Sequence, residues 1–173
     1  FNQSVNHLIF DSAAGIVEIV QMFYLATSFN NGDAGNTATA PITSWDLSSV
    51  QSMSELFLGC SKFNQDLSSL DVSSVQNMYG VFANCVLYKN GGASLSPWTI
   101  TNVLDFTNFL SGCVLDTVDY DAMLVSFAGQ SVQPSVTFNG GLSEYTDSPA
   151  AAGVARASLI ADDLWNITDG GPV

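Results

Sequence analysis

Apolar residues recur along this chain at a fixed set of intervals, and the set itself repeats. Aligned on Val50, Val75 and Val103, the copies place Met53, Met78 and Phe106 three residues later. Phe57, Phe82 and Leu110 follow at +7, and Cys60, Cys85 and Cys113 at +10. Ahead of the anchor stand Leu47, Val72 and Ile100 at −3, Trp45, Leu70 and Trp98 at −5, and Ile42, Leu67 and Leu95 at −8. Phe63 and Tyr88 share slot +13, where the last copy breaks the pattern with Asp116. The anchors lie 25 and 28 residues apart. An earlier copy, anchored on Ile16, puts Ile19, Phe23, Ala26 and Phe29 in the same slots, 34 residues before Val50. Its extra length falls in the Asn-, Gly-, Thr- and Ala-rich stretch 30–40, which reads as a surface loop.

Each copy predicts a two-part unit. The anchor, +3, +7 and +10 positions form a stripe at helical spacing, with Ser48-Ser49 and Ser73-Ser74 placed to cap the helix start and Thr101-Asn102 as the variant. Trp45-Asp46-Leu47 and Leu70-Asp71-Val72 alternate apolar and polar residues, which predicts very short strands. A short strand and a short helix cannot bury their apolar side alone, but stacked copies can. The expected fold is therefore an α/β repeat solenoid of leucine-rich-repeat type. About four repeats, the first truncated, fill 1–115, and an α+β capping segment fills 116–173. Like slots should lie over one another as ladders of Val, Met or Phe, Phe and Cys.

The period disappears near Asp116. A helix is expected over 120–128, a strand over 135–138, a Gly140-Gly141 turn, an Ala-rich helix over 149–160 with Pro149 in its first turn, and a last strand over 165–168. The first three residues, Phe1-Asn2-Gln3, repeat Phe63-Asn64-Gln65, so the chain is expected to open on the tail of an earlier repeat and to be a piece of a longer protein. Its N-terminal end should be covered by further repeats or by a partner.

Composition then narrows the function. Hydrophobic residues make up 47% of the chain, but only 11% are charged, so Ser, Thr, Asn and Gln must supply most of the polar surface. Sixteen acids stand against Lys62, Lys89 and Arg156, a net charge of −13. Such a surface repels phosphate backbones and anionic membranes, which argues against nucleic acid and membrane contact. The most apolar stretch, 16–26, is interrupted by Glu18 and Gln21, so no membrane insertion is expected.

Chemistry is sparse. His7 is the sole histidine, which rules out a multi-histidine metal site and leaves a histidine triad only that one position. Cys60, Cys85 and Cys113 share one slot, with Ala26 as the fourth rung, and read as a core ladder of free thiols. Stacked helices ~8–10 Å apart would hold them beyond the ~4.4–6.8 Å Cα separation of a disulfide. Asp46 and Asp71 share a slot and read as local turn caps, with a calcium site as the alternative. Asp116, Asp119 and Asp121, and Asp162-Asp163, are further clusters. Asn2-Gln3-Ser4 and Asn166-Ile167-Thr168 match the glycosylation sequon. No phosphate-binding loop, catalytic constellation or cofactor motif is present.

The run Phe63-Asn64-Gln65-Asp66-Leu67-Ser68-Ser69-Leu70-Asp71-Val72-Ser73-Ser74-Val75, continued by Met78 and Phe82, resembles the BspA-like leucine-rich-repeat surface proteins, which include mycoplasma lipoprotein-type repeats. Leu70 stands where that pattern has Trp. Tyr120-Asp121, the Ala-rich segment around Arg156 and the stretch 165–171 look like the same family's ending. The resemblance implies a non-enzymatic, extracellular or cell-surface module that attaches to a protein or glycan partner. A second reading is a structural component of a virus or phage particle, such as a minor capsid, decoration or fibre protein, docked on neighbouring subunits. A third is a carboxylate-dependent hydrolase.

Overall fold

A computed structural model describes residues 2–6, 8, 10, 18–33, 42, 45–147 and 149–173. His7 and the Ile16 anchor lie outside the described residues. The four copies form rungs that stack in parallel through bridges from Glu18 to Ser52, Ser52 to Asn77 and Asn77 to Asp105.

Backbone hydrogen bonds run along the stack in a strict alternation. The N–H groups of Ile19, Gln21, Phe23 and Leu25 donate to the carbonyls of Ser52, Ser54, Leu56 and Leu58 at 2.7–3.0 Å. Met53, Glu55, Phe57 and Gly59 donate to Asn77, Tyr79, Val81 and Ala83, and Met78, Gly80, Phe82 and Asn84 to Asp105, Thr107, Phe109 and Ser111. Slots +3, +5, +7 and +9 thus give their protons to the next rung, and slots +2, +4, +6 and +8 accept.

This arrangement replaces the expected helix. Among the described residues the repeats contain no α-helix, and the short strands expected at 45–47 and 70–72 are absent too. Each rung instead makes two successive four-residue turns, closed by Leu56 N–H to Met53 and Cys60 N–H to Phe57, and likewise by Val81 to Met78 and Cys85 to Phe82. The third residue of each such turn has a left-handed backbone: Glu55 (φ 55°), Gly59 (76°), Gly80 (58°), Asn84 (60°), Asn108 (58°) and Gly112 (79°). That is the geometry of a type II turn, which favours Gly or Asn there. Two consecutive turns place inward side chains at +3, +7 and +10, the spacing a helix would also give. Ser48 and Ser73 consequently cap no helix; their N–H groups bond the carboxylates of Asp46 and Asp71.

The inward slots carry the core. Val50, Val75, Val103, Met53, Met78, Phe106, Phe57, Phe82, Leu110, Cys60, Cys85 and Cys113 are all buried and belong to one continuous apolar cluster. Phe23, Phe57 and Phe82 stack between rungs with ring centroids 5.5 and 5.9 Å apart. Phe29, Phe63 and Tyr88 form a second column at 5.8 and 5.7 Å. Within each rung the two columns touch at 4.0–4.2 Å.

The C-terminal part continues the ladder. Phe106 and Leu110 donate to Thr137 and Asn139, so β1 (Thr137–Asn139) lies on the last rung, and β3 (Asn166–Thr168) pairs with it in parallel. A second small pair joins β2 (Glu144–Tyr145) to β4 (Gly171–Pro172). Helices α1 (Thr117–Ala128) and α2 (Ala151–Ala161) pack on each other. The helices fall within a few residues of the expected segments, as do β1 and β3. Arg156 on α2 is locked by two bonds to Asp169, at 2.8 and 3.2 Å, and lies 5.0 Å from the centre of the Tyr145 ring. Tyr120 donates to the same Asp169 at 2.9 Å, and its ring fills the space a Cβ on Gly140 would take.

Candidate interaction surfaces

Most of the carboxylates singled out for chemistry are engaged by local partners. Asp46 and Asp71 are exposed, and each holds the serine two residues on. The Ser48 hydroxyl and then its N–H keep the Asp46 carboxyl below the usual range, and Ser73 does the same for Asp71. Asp116 pairs with Lys89. Burial and then the Asp116 charge push the Asp119 carboxyl up. Asp121 accepts both the N–H (2.9 Å) and the hydroxyl (2.6 Å) of Thr146, and Asp162 accepts the Ser158 hydroxyl at 2.7 Å. Among the described residues no three His, Cys, Asp or Glu side chains gather where a metal ion could bind. No helix among them is long and apolar enough to cross a membrane.

The three thiols are free and buried, and they do more than fill space. Cys60 donates to the Phe23 carbonyl and Cys85 to the Phe57 carbonyl, both at 2.9 Å, and Cys113 donates to Phe82 at 3.1 Å. Each +10 side chain thus reaches back to the +7 carbonyl of the preceding rung. Burial pushes the Cys60 and Cys113 thiols up to about 12 and raises Cys85 as well, so none is a ready nucleophile.

Asparagines make a second ladder that the apolar pattern does not reveal. Asn2 Oδ1 accepts the Asn30 N–H (2.7 Å), Asn30 Oδ1 the Asn64 N–H (2.8 Å), and Asn64 Oδ1 the Lys89 N–H (2.8 Å). One slot further, Asn31 and Asn90 take the N–H groups of Val5 (2.6 Å) and Leu67 (2.8 Å). Trp45 and Trp98 serve the carbonyls of those same two residues through their indole N–H groups, at 3.1 and 2.9 Å. The sequence signal was the asparagine in the Phe-Asn-Gln motif, whose side chain can stand in for a missing backbone partner.

What remains exposed is informative. At slot +11 the first two units carry Thr27 and Ser61, but the next two carry Val86 and Val114, 58% and 47% exposed. Leu142, 65% exposed, continues this row, because its N–H bonds the Cys113 carbonyl at 2.9 Å. Leu87 widens the row at slot +12. A groove of about 410 Å³ opens at the other end of the stack, between Gln3, Ser4, Val5 and Leu8 on one side and Met22, Phe23, Tyr24 and Ala26 on the other.

The chain belongs to the family described as Mycoplasma protein of unknown function, DUF285, which matches residues 33–145. No curated protein matches it. No solved structure matches it either.

Proposed function

We propose that this chain is a non-enzymatic recognition module of a surface-exposed protein: a repeat solenoid of the BspA-like leucine-rich-repeat type that attaches to a protein partner through its flank. The observation that carries the reading is the row Val86, Val114 and Leu142, exposed apolar side chains that line up from rung to rung on a sparsely charged surface. Apolar side chains aligned on successive rungs have no part in the core, and such a row desolvates readily against a partner. The family match, to mycoplasma proteins, supports a bacterial setting. The engagement of Asp46, Asp71, Asp121 and Asp162 by local hydroxyl and amide groups supports a role without catalysis.

The test has two arms. Carboxylate-reactive cross-linking on the native cell surface, read by mass spectrometry, should give varied links to external protein. Repeated links to one abundant neighbour in fixed ratio would favour an architectural part of a particle instead. In the second arm, the double variant Val86→Asp, Leu142→Asp should melt like the parent and lose attachment. Unchanged attachment by that folded variant refutes the flank as the binding face.

A further inference from the structure

Asn31-Gly32, Asn90-Gly91 and Asn139-Gly140 are asparagine–glycine pairs. In such a pair the glycine nitrogen can attack the asparagine side-chain carbonyl carbon, because glycine has no Cβ to bar the approach. The new carbon–nitrogen bond closes a succinimide ring, the bond to Nδ2 breaks, and ammonia leaves. Water then opens the ring to aspartate or to isoaspartate. No oxidant or cofactor takes part.

At two of the pairs the fold restrains both reacting groups, and these two are the rung fasteners. Asn31 is 0% and Asn90 1% exposed. Asn90 Oδ1 accepts the Leu67 N–H at 2.8 Å, and Nδ2 donates to the Ala93 carbonyl at 3.1 Å. Asn31 Oδ1 accepts the Val5 N–H at 2.6 Å, and Nδ2 donates to Asn6 Oδ1 at 2.9 Å. The nucleophiles are held as well. Gly91 N–H donates to Asn64 Oδ1 at 3.0 Å, and Gly32 N–H to Asn2 Oδ1 at 2.9 Å. At the third pair the backbone of β3 does this, with Gly140 N–H on the Thr168 carbonyl at 2.8 Å. The turn itself calls for these residues: φ is 50° and 86° at Asn31 and Gly32, and 47° and 64° at Asn90 and Gly91. Asparagine and glycine adopt that left-handed backbone most readily, so the choice that eases the turn also makes it reactive.

We propose that Asn31-Gly32 and Asn90-Gly91 are deamidation sites that the closed stack silences and an opened rung exposes, so that each opening can be recorded irreversibly. Separating a rung frees the glycine nitrogen, frees the asparagine side chain and admits water in one event. The product cannot resume the fastener's place. Aspartate at position 90 lacks the Nδ2 donor and sets a carboxylate oxygen against the Ala93 carbonyl in a buried slot. At position 31 the carboxylate would face the Asn6 amide oxygen. Isoaspartate adds a carbon to the main chain between contacts to Leu67 and Asn64 whose spacing is fixed. None of this involves the flank row, so its test stands apart from the proposed function.

The full chain is held in mildly alkaline buffer with and without urea, and deamidation at positions 31, 90 and 139 is counted by peptide mapping and mass spectrometry. In the native chain positions 31 and 90 should react at least about tenfold more slowly than in urea, because the native rate is the open-chain rate scaled by the fraction of time the rung is open. Native rates equal to those in urea overturn the proposal. Asn64→Ala releases the Gly91 N–H and should speed reaction at Asn90 several-fold while Asn31 and Asn139 keep their rates. An unchanged rate at Asn90, or an equal rise at all three positions, overturns the local gate. Asn90→Asp copies one of the two products and should melt below the parent; equal melting overturns the one-way step.

Discussion

Asn90 offers the sharpest test of how the rungs are held. It is 1% exposed, with φ 47°, and its side chain serves three groups. Oδ1 accepts from Leu67 N–H at 2.8 Å and from the Tyr88 hydroxyl at 3.0 Å, and Nδ2 donates to the Ala93 carbonyl at 3.1 Å. Asn90→Ala strands two buried donors, at about 1–3 kcal/mol each. The Ala93 carbonyl is half-buried and can turn to water. A left-handed alanine adds about 1 kcal/mol. The expected loss is therefore about 3–7 kcal/mol. Asn84→Ala is the matched control: Asn84 has φ 60° but is exposed and uses no side-chain bond, so only the strain of about 1 kcal/mol applies. Urea unfolding followed by the fluorescence of the buried Trp45, Trp98 and Trp165 reads both variants. Amide exchange at Leu67 should also quicken in Asn90→Ala and stay unchanged in Asn84→Ala. A difference between the two variants below about 1 kcal/mol would refute the account of the asparagine as a rung fastener.

Further outcomes are specific to other parts of the ladder. Met78→Asp puts a charge into a core shared by neighbouring rungs, so amide protection should fall at Phe57 and Phe82 together; loss confined to the mutated rung would refute a shared core. Gly141→Ala should destabilise by more than about 2 kcal/mol, because φ is 71° and the new Cβ would lie 2.3 Å from the Leu110 carbonyl. Gly92→Ala has φ 86° but meets no atom within 4 Å, and should lose clearly less in the same melt. A thiol reagent at pH 8 should count no cysteine in the native chain and three after unfolding, since burial holds Cys60 and Cys113 near 12. Asp46→Asn with Asp71→Asn should leave the melting midpoint unmoved by added calcium or chelator; a calcium-dependent shift in the parent that this variant abolishes would restore the metal reading.

The repeat made the core legible. Slots such as Val50, Met53, Phe57 and Cys60 are defined by recurrence, and recurrence is set by what must be buried at every level. The backbone that delivers them was not legible from spacing, because paired turns and a helix present inward residues at the same intervals. The signal lay in the residues between: Gly59, Gly80, Asn84, Asn108 and Gly112 sit at +5 and +9, where a helix interior would lose stability and a left-handed turn gains it. Glu55 in the same slot obscured the pattern. The cysteines looked apolar because composition cannot show that a +7 carbonyl lies within reach of each thiol.

The cross-rung bonds of this protein all point along the stack. Tension applied between its two ends would therefore load the bonds of one interface in parallel and the interfaces in series. The stack should yield rung by rung, each release of a 25-residue unit adding roughly 80–90 Å of slack. A stack built this way gives out length under a sudden pull and dissipates work at each step.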